Sequence, residues 1–183
     1  MIDIDKFITH YLVKRNLDER QRHGLTFLLN AINGDSEIQD IRWAAYMLAT
    51  VMHECAGTWL PIEEYGHGKG RPYGVADAAT GQVYYGRGYV QLTWKANYRA
   101  MSKVIGLDLV AGPALVLNPD NSYKIMSYGM RNGSFTGVGL ERFINGTSCD
   151  YVGARKIING TDHADKIAGY AREFEAMLND ATK

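Results

Sequence analysis

The chain has 183 residues, 46% of them hydrophobic and 22% charged, and its formal net charge is zero. That is enough chain to bury a core without staples. The charge balance gives no reason to expect nucleic acid or an anionic membrane as a partner, and no apolar run reaches the length of a membrane span. From Asp3 to Lys14, Ile4, Phe7, Ile8, Tyr11 and Leu12 recur at helical spacing. Asp18 and Gln21 form a loose capping box for a second helix, with Leu25, Leu28, Leu29 and Ile32 on its inner face and Asn33-Gly34 as its stop. Asp35 or Ser36 is the expected cap of a third helix. Its stripe is Ile38, Ile41, Ala45, Leu48 and Met52. Trp43, Tyr46, Met47 and Val51 fill most of its other faces, so it should be central and buried.

Trp59 to Val83 reads differently. It holds Pro61, Gly66, Gly68, Gly70, Pro72, Gly74 and Gly81, with His67, Lys69 and Arg71 among them. We expect a long loop with one short hairpin, of the kind that is more often functional than idle. The run VYYGRGYVQLTW suggests short strands lining a cleft. Lys95 to Ile105 is helical and Gly106 suits its C-terminus. Pro113 to Asn118 is a short turn or helix. Asp120, Asn121 or Ser122 should cap a helix that Asn132-Gly133 ends. Leu140–Ile144 and Tyr151–Ile158 read as two short helices. Asp162 should cap the last helix, whose inner face is Ile167, Tyr170, Ala171, Phe174 and Leu178. No repeat, low-complexity tract or linker appears. Residues 1–183 are therefore read as a single catalytic domain, with no separate wall-binding or carbohydrate-binding module.

The chemistry concentrates between Trp43 and Glu64. Glu54 falls where the apolar helix runs out, and Gly57 follows as a stop. Glu63 and Glu64 come on the loop beyond. A zinc-binding HExxH would need a histidine at position 57, and Gly57 stands there. The other histidines are too scattered to ligate a metal, so no metal and no cofactor are expected. Glu54 could pair with a core arginine such as Arg87 or Arg99. It could instead serve as one of the two carboxylates of glycoside hydrolysis. There one acid keeps its proton in an apolar setting and the other stays ionised. Met52, Cys55 and Trp59 suit Glu54 to the first role, and the open surroundings of Glu63 suit it to the second. Adjacent acids on a loop are otherwise merely solvated. Cys55, beside His53 and upstream of His67, is an alternative peptidase nucleophile. Neighbours on a helix diverge by about 100°, which places His53 poorly to activate it. A small buried hydrophobe is the plainer reading of Cys55. Twelve Tyr and three Trp offer flat faces that suit sugar rings as well as cores.

YYGRGYVQLTWKANY, Tyr84 to Tyr98, resembles the signature of family 19 glycoside hydrolases, the plant class I and II chitinases and their bacterial and phage relatives. Three further blocks agree in family order: His53-Glu54, then Ile157-Ile158-Asn159-Gly160, then Ala164-Asp165-Lys166-Ile167 with Tyr170. The resemblance implies an α+β, predominantly helical, lysozyme-like fold with two lobes and a small β element lining the cleft. It implies that Glu54 is the proton donor and that Thr93 positions the attacking water. It implies that Gln91, Asn97 and Asn159 bind substrate, with His53, Glu64 and Tyr85 completing the binding set. In the shorter phage members the second carboxylate follows the first by nine positions, which selects Glu63, with Glu64 in reserve. The sequence departs from the plant pattern at Asp162, where those members tend to carry arginine. Inversion is implied, with the two carboxyls roughly 6.5–9.5 Å apart.

The N-terminus MIDIDKFITHYLVKRN lacks the pattern of a secretion signal. Two cysteines, Cys55 and Cys149, do not make a disulfide framework and suggest a reducing compartment. We therefore expect a phage endolysin acting on the glycan strands of peptidoglycan. It would be a monomer without membrane insertion, made in the host bacterial cytoplasm and released to the wall by a separate holin. A chitinase acting on chitin is the second reading. A Cys55-dependent wall peptidase and a non-catalytic sugar-binding module are the readings from other classes.

Overall fold

The computed structural model describes residues 1–182. Its helices are α1 (Ile4–Lys14), α2 (Glu19–Gly34), α3 (Ile41–Glu54), α4 (Lys95–Ile105), α5 (Pro119–Asn132) and α6 (Ala164–Ala181). Strand β1 (Ile62–Glu63) pairs antiparallel with β2 (Arg87–Gly88), and β3 (Ile144–Asn145) pairs antiparallel with β4 (Ser148–Cys149). The predominantly helical class with a small β element is what the sequence predicts.

Helix α3 is the axis. Every residue from Ala44 to Val51 is buried, which is the signature of a helix packed on all sides rather than along one stripe. Its chief partner is α6, whose Ile167, Ala171, Phe174 and Leu178 are fully buried. Just beyond α3, Trp59 is fully buried. Its indole N–H donates to the Tyr11 hydroxyl at 3.2 Å and its ring tilts against Phe174 at 5.7 Å. The turn leaving α3 is thereby nailed to α1 and α6, and the end of α3 has one fixed position.

Caps explain most differences from the sequence reading. Asp3 caps α1 and Asp18 forms a full capping box with Gln21, as predicted. The third helix starts later than expected, capped by Asp40 rather than Asp35 or Ser36. The Asp35 carboxylate is instead taken by the Tyr123 and Ser127 hydroxyls of α5, at 3.0 and 2.6 Å. Asn118, not Asp120, Asn121 or Ser122, caps α5. Pro119 follows it at the first helical position, where a missing N–H costs nothing. The last helix begins after His163, which sits at φ 55, and not after an Asp162 cap. The two short helices predicted over 140–144 and 151–158 are single 3₁₀ turns, Leu140–Arg142 and Gly153–Ile157. The β3–β4 hairpin lies between them, too short to leave a periodic pattern. Of the strands expected in VYYGRGYVQLTW, only Arg87–Gly88 forms, with a bridge from Arg87 to Leu92. Positive φ at Gly88, Gln91 and Trp94 bends the rest into turns. The glycine-rich loop contains no hairpin of its own; it is the connection between β1 and β2 and holds a single 3₁₀ turn, Pro72–Gly74.

Candidate active site

Glu54 is the last residue of α3. Its side chain is 15% exposed and its Oε1 accepts from Arg155 Nη1, whose side chain is 3% exposed. The 3₁₀ turn Gly153–Ile157 delivers that arginine, and its Nε–H is fixed by the Asp162 carbonyl at 2.8 Å. The partner is neither Arg87 nor the exposed Arg99, and the setting of Glu54 is not the purely apolar one the sequence suggests. A charged pair this buried has to be satisfied on both sides, because breaking it strands one charge.

Glu63 is held by different means. Its Oε1 accepts from the Tyr85 hydroxyl at 2.7 Å and lies 3.4 Å from Arg87 Nε. Its Oε2 lies 3.5 Å from His67 Nε2. The His67 ring stacks on Tyr85 at 4.8 Å, and the Arg87 guanidinium lies over the other partner of that stack, 3.6 Å from the Tyr85 ring centre. The Tyr85 hydrogen bond, aided by the charges of Arg87 and His67, holds the Glu63 carboxyl below the usual carboxylate range. Glu63 is thus kept ionised. Glu64 is used otherwise. Its Oε1 accepts from the Tyr73 hydroxyl at 2.9 Å and its Oε2 from the Gly86 N–H at 3.0 Å. Both oxygens are occupied in closing the loop between β1 and β2.

A cavity of about 360 Å³ brings Glu54 together with Gln91, Thr93, Asn97 and Asn159. Gln91 donates from Nε2 to the carbonyls of Ile62 and Gly88, both at 3.0 Å, and so ties β1 to the turn after β2. The Thr93 hydroxyl donates to the Gln91 carbonyl at 2.8 Å. Its lone pairs remain to accept from a water. Asn97 Nδ2 donates to the Thr93 carbonyl at 2.9 Å. Asn159 accepts the Gly160 N–H on Oδ1 at 2.9 Å, which leaves its amide nitrogen as a donor to a ligand carbonyl. Glu63, Glu64, Tyr85 and His53 are not among the residues lining this cavity. His53 packs 4.9 Å from His163, and burial lowers its pKa, so it is neutral near pH 7.

Cys55 is fully buried, its sulfur 3.7 Å from the carbonyls of Gly88 and Tyr89. Burial pushes the thiol far up. A nucleophile has to be a reachable thiolate, and this one is neither. The peptidase reading fails here.

Sequence reasoning passed over several residues of the site, among them Arg155, Phe135 and Trp94. Arg155 sits two residues before the Ile157-Ile158-Asn159-Gly160 block, and no periodicity marks it as buried. Phe135 lines the cavity from the loop after α5. Trp94 does so at φ 75, ψ 132, a region proper to glycine, at a cost of order 1–3 kcal/mol. Among the described residues, no cluster of three or more His, Cys, Asp or Glu could hold a metal ion. No helix among them is long and apolar enough to cross a membrane.

A helix-end glutamate lining a polar cleft, with an ionised second glutamate on a small β element outside that lining, goes with a fold of the helical, lysozyme-like class. Residues 23–129, more than half of the chain, match the family described as Chitinase class I, glycoside hydrolase family 19. The chain belongs to that family. It is 42% identical over 76 residues to an endochitinase of Arabidopsis thaliana, a match covering 41% of this chain and 26% of the relative. It is 34% identical over 114 residues to an endochitinase of Persea americana, covering 52% and 35%. The chain thus spans about a quarter to a third of the length of these curated relatives. In fold it is similar to chitinase C from Streptomyces griseus HUT6037, with a TM-score of 0.66 at 23% identity over 97% of this chain and 76% of that one.

Proposed function

We propose that the chain hydrolyses β-1,4 glycosidic bonds between N-acetylated sugars by inversion, and that its natural substrate is the glycan strand of peptidoglycan. Glu54 protonates the leaving oxygen. Glu63 draws a proton from water held by Thr93, and the water attacks from the opposite face of the sugar. The observation that carries this reading is the contrast between the two carboxylates. Glu63 is kept ionised by donors of its own, as a base requires, while Glu54 faces the cavity. Asn159 offers its amide to the acetamido carbonyl, with Ile158 and Phe135 as the apolar wall beside it.

Two features support peptidoglycan over chitin. The Glu54–Glu63 spacing is that of the phage lysozyme-like branch the sequence resembles. Both cysteines are free, which suits synthesis in a reducing cytoplasm. In this reading the protein is an endolysin, monomeric, accumulating in the host bacterial cytoplasm and reaching the wall through a holin. The names of the relatives, endochitinases, favour chitin as the second reading. Mass spectrometry of fragments released from purified peptidoglycan, with colloidal chitin in parallel, separates the two. New reducing ends from peptidoglycan are expected, and their sugar identifies the bond. Release from chitin alone would replace this reading with the second.

A further inference from the structure

Four Asn-Gly dipeptides stand in the chain: Asn33-Gly34, Asn132-Gly133, Asn145-Gly146 and Asn159-Gly160. An asparagine before glycine is open to attack on its side-chain carbon by the glycine nitrogen, because no Cβ on the second residue hinders the approach. The fold treats the four unequally. Asn33 has both ends of its amide tied to Ile2, accepting at 2.7 Å and donating at 2.9 Å, and lies with Gly34 inside α2. Asn132 donates to the Tyr128 carbonyl at 2.9 Å, and the Gly133 N–H is given to the Gly129 carbonyl. Asn145 accepts from the Thr147 N–H and hydroxyl and donates to the Glu141 carbonyl at 2.9 Å. In each of these the amide is anchored to a group other than the nitrogen that would attack it.

Asn159 is built the other way. The partner of its Oδ1 is the Gly160 N–H itself, at 2.9 Å. Cγ lies one carbonyl bond further, so the nitrogen is within about 4 Å of the carbon it would attack, near the range of about 3–3.5 Å at which bonds form. Asn159 and Gly160 are both exposed, so water and hydroxide reach them. A Cβ on Gly160 would meet nothing within 4 Å, so packing does not require the glycine. Asn159 also lines the Glu54 cavity, and its N–H donates to the Arg155 carbonyl at 3.0 Å. One backbone hydrogen bond thus joins the residue open to attack and the arginine that holds Glu54.

We propose that Asn159-Gly160 is a deamidation site set into the wall of the Glu54 cavity, where the folded chain converts an amide donor into a carboxylate. The Gly160 nitrogen gives its proton to solvent base and bonds to Cγ of Asn159. The Cγ–Nδ2 bond breaks and ammonia leaves, giving a cyclic imide. Water then opens the imide at either carbonyl. One opening yields aspartate; the other yields isoaspartate, in which the main chain runs through Cγ. Nothing is oxidised or reduced: amide and water become carboxylate and ammonium. Both products put a negative charge where Asn159 offered an N–H, and isoaspartate lengthens the main chain just after the turn that delivers Arg155. The modification is independent of the substrate; only its effect on turnover rests on the glycan-hydrolase reading.

The test incubates wild type and Gly160→Ala at mildly alkaline pH, folded and, in parallel, unfolded in guanidinium chloride. Peptide mass spectrometry reads conversion at each Asn-Gly. In the unfolded wild type the four should convert at similar rates. In the folded protein Asn33, Asn132 and Asn145 should be protected while Asn159 keeps its pace. Gly160→Ala should fold as wild type does and lose conversion at Asn159 alone. Equal protection of all four by folding, or undiminished conversion of Asn159 in Gly160→Ala, would overturn the proposal. Turnover of peptidoglycan is a separate readout. Aged wild type should lose activity in proportion to the fraction converted, and aged Gly160→Ala should keep the activity it began with. Equal loss in both would overturn the link between the modification and the cavity. If fresh wild type turned over no glycan, the functional reading would fail while the mass readout still judged the site.

Discussion

The two carboxylates are neighbours in sequence and opposites in construction. Glu54 ends a fully buried helix, and its partner Arg155 comes from 101 residues away. Glu63 lies on a two-residue strand with a 36% exposed side chain, and its partners Tyr85, Arg87 and His67 all lie within 24 residues. The first is held by burial and one strong ion pair, the second by a cluster of weaker contacts. Substitutions at the first should therefore cost activity and stability together. Those at the second should mainly retune protonation.

The largest expected effect is from Glu54→Gln. If Glu54 is the proton donor of the proposed reaction, its loss should lower turnover of peptidoglycan by about 10²–10⁴-fold, measured as new reducing ends, while circular dichroism shows a folded protein. Glu63→Ala should follow closely, by about 10²-fold or more. Glu64→Ala, which breaks only loop contacts, should retain more activity than Glu63→Ala in the same assay. The reverse order would exchange their roles. Arg155→Met removes the partner of a buried charge and should destabilise the fold by about 3 kcal/mol, read by chemical denaturation.

A finer break is Tyr85→Phe. Glu63 in the folded protein titrates below its unfolded value, so its contribution to stability is present above the ordinary carboxylate range and is lost as pH falls through the depressed value. A base must be ionised to work, so the same depression keeps activity alive at lower pH. Removing the hydroxyl raises the Glu63 pKa, and the acidic limb of the pH–kcat/KM profile should move to higher pH. The smallest effect on activity belongs to Cys55→Ser. It should cost about 1–3 kcal/mol of stability by burying a hydroxyl and leave turnover near wild type.

The contrast between the two acids also marks what could be read from the sequence. The end of α3 was legible because apolar spacing, Glu54 and the Gly57 stop fall within one stretch. The signature block drew attention to Gln91, Thr93 and Asn97, which the structure gathers with Glu54 in one cavity, whereas Glu63, chosen by its spacing from Glu54, lies outside that lining. Arg155 was not legible, because an arginine becomes buried only through a fold that brings the turn before α6 onto the end of α3. Trp94 was not, because its strain and exposure are properties of backbone angles, not of residue type. The shifted caps at Asp40, Asn118 and His163 follow the same rule. Asp35 could cap a helix by its chemistry, but a tertiary contact with α5 claimed it first.

The central claim is that Glu63 activates a water while Glu54 protonates the leaving group, rather than Glu63 attacking the sugar itself. The anomeric configuration of freshly released reducing ends, recorded by proton NMR before mutarotation, tests it directly. The α anomer is predicted from β-1,4 linkages; initial release of the β anomer would contradict the assignment.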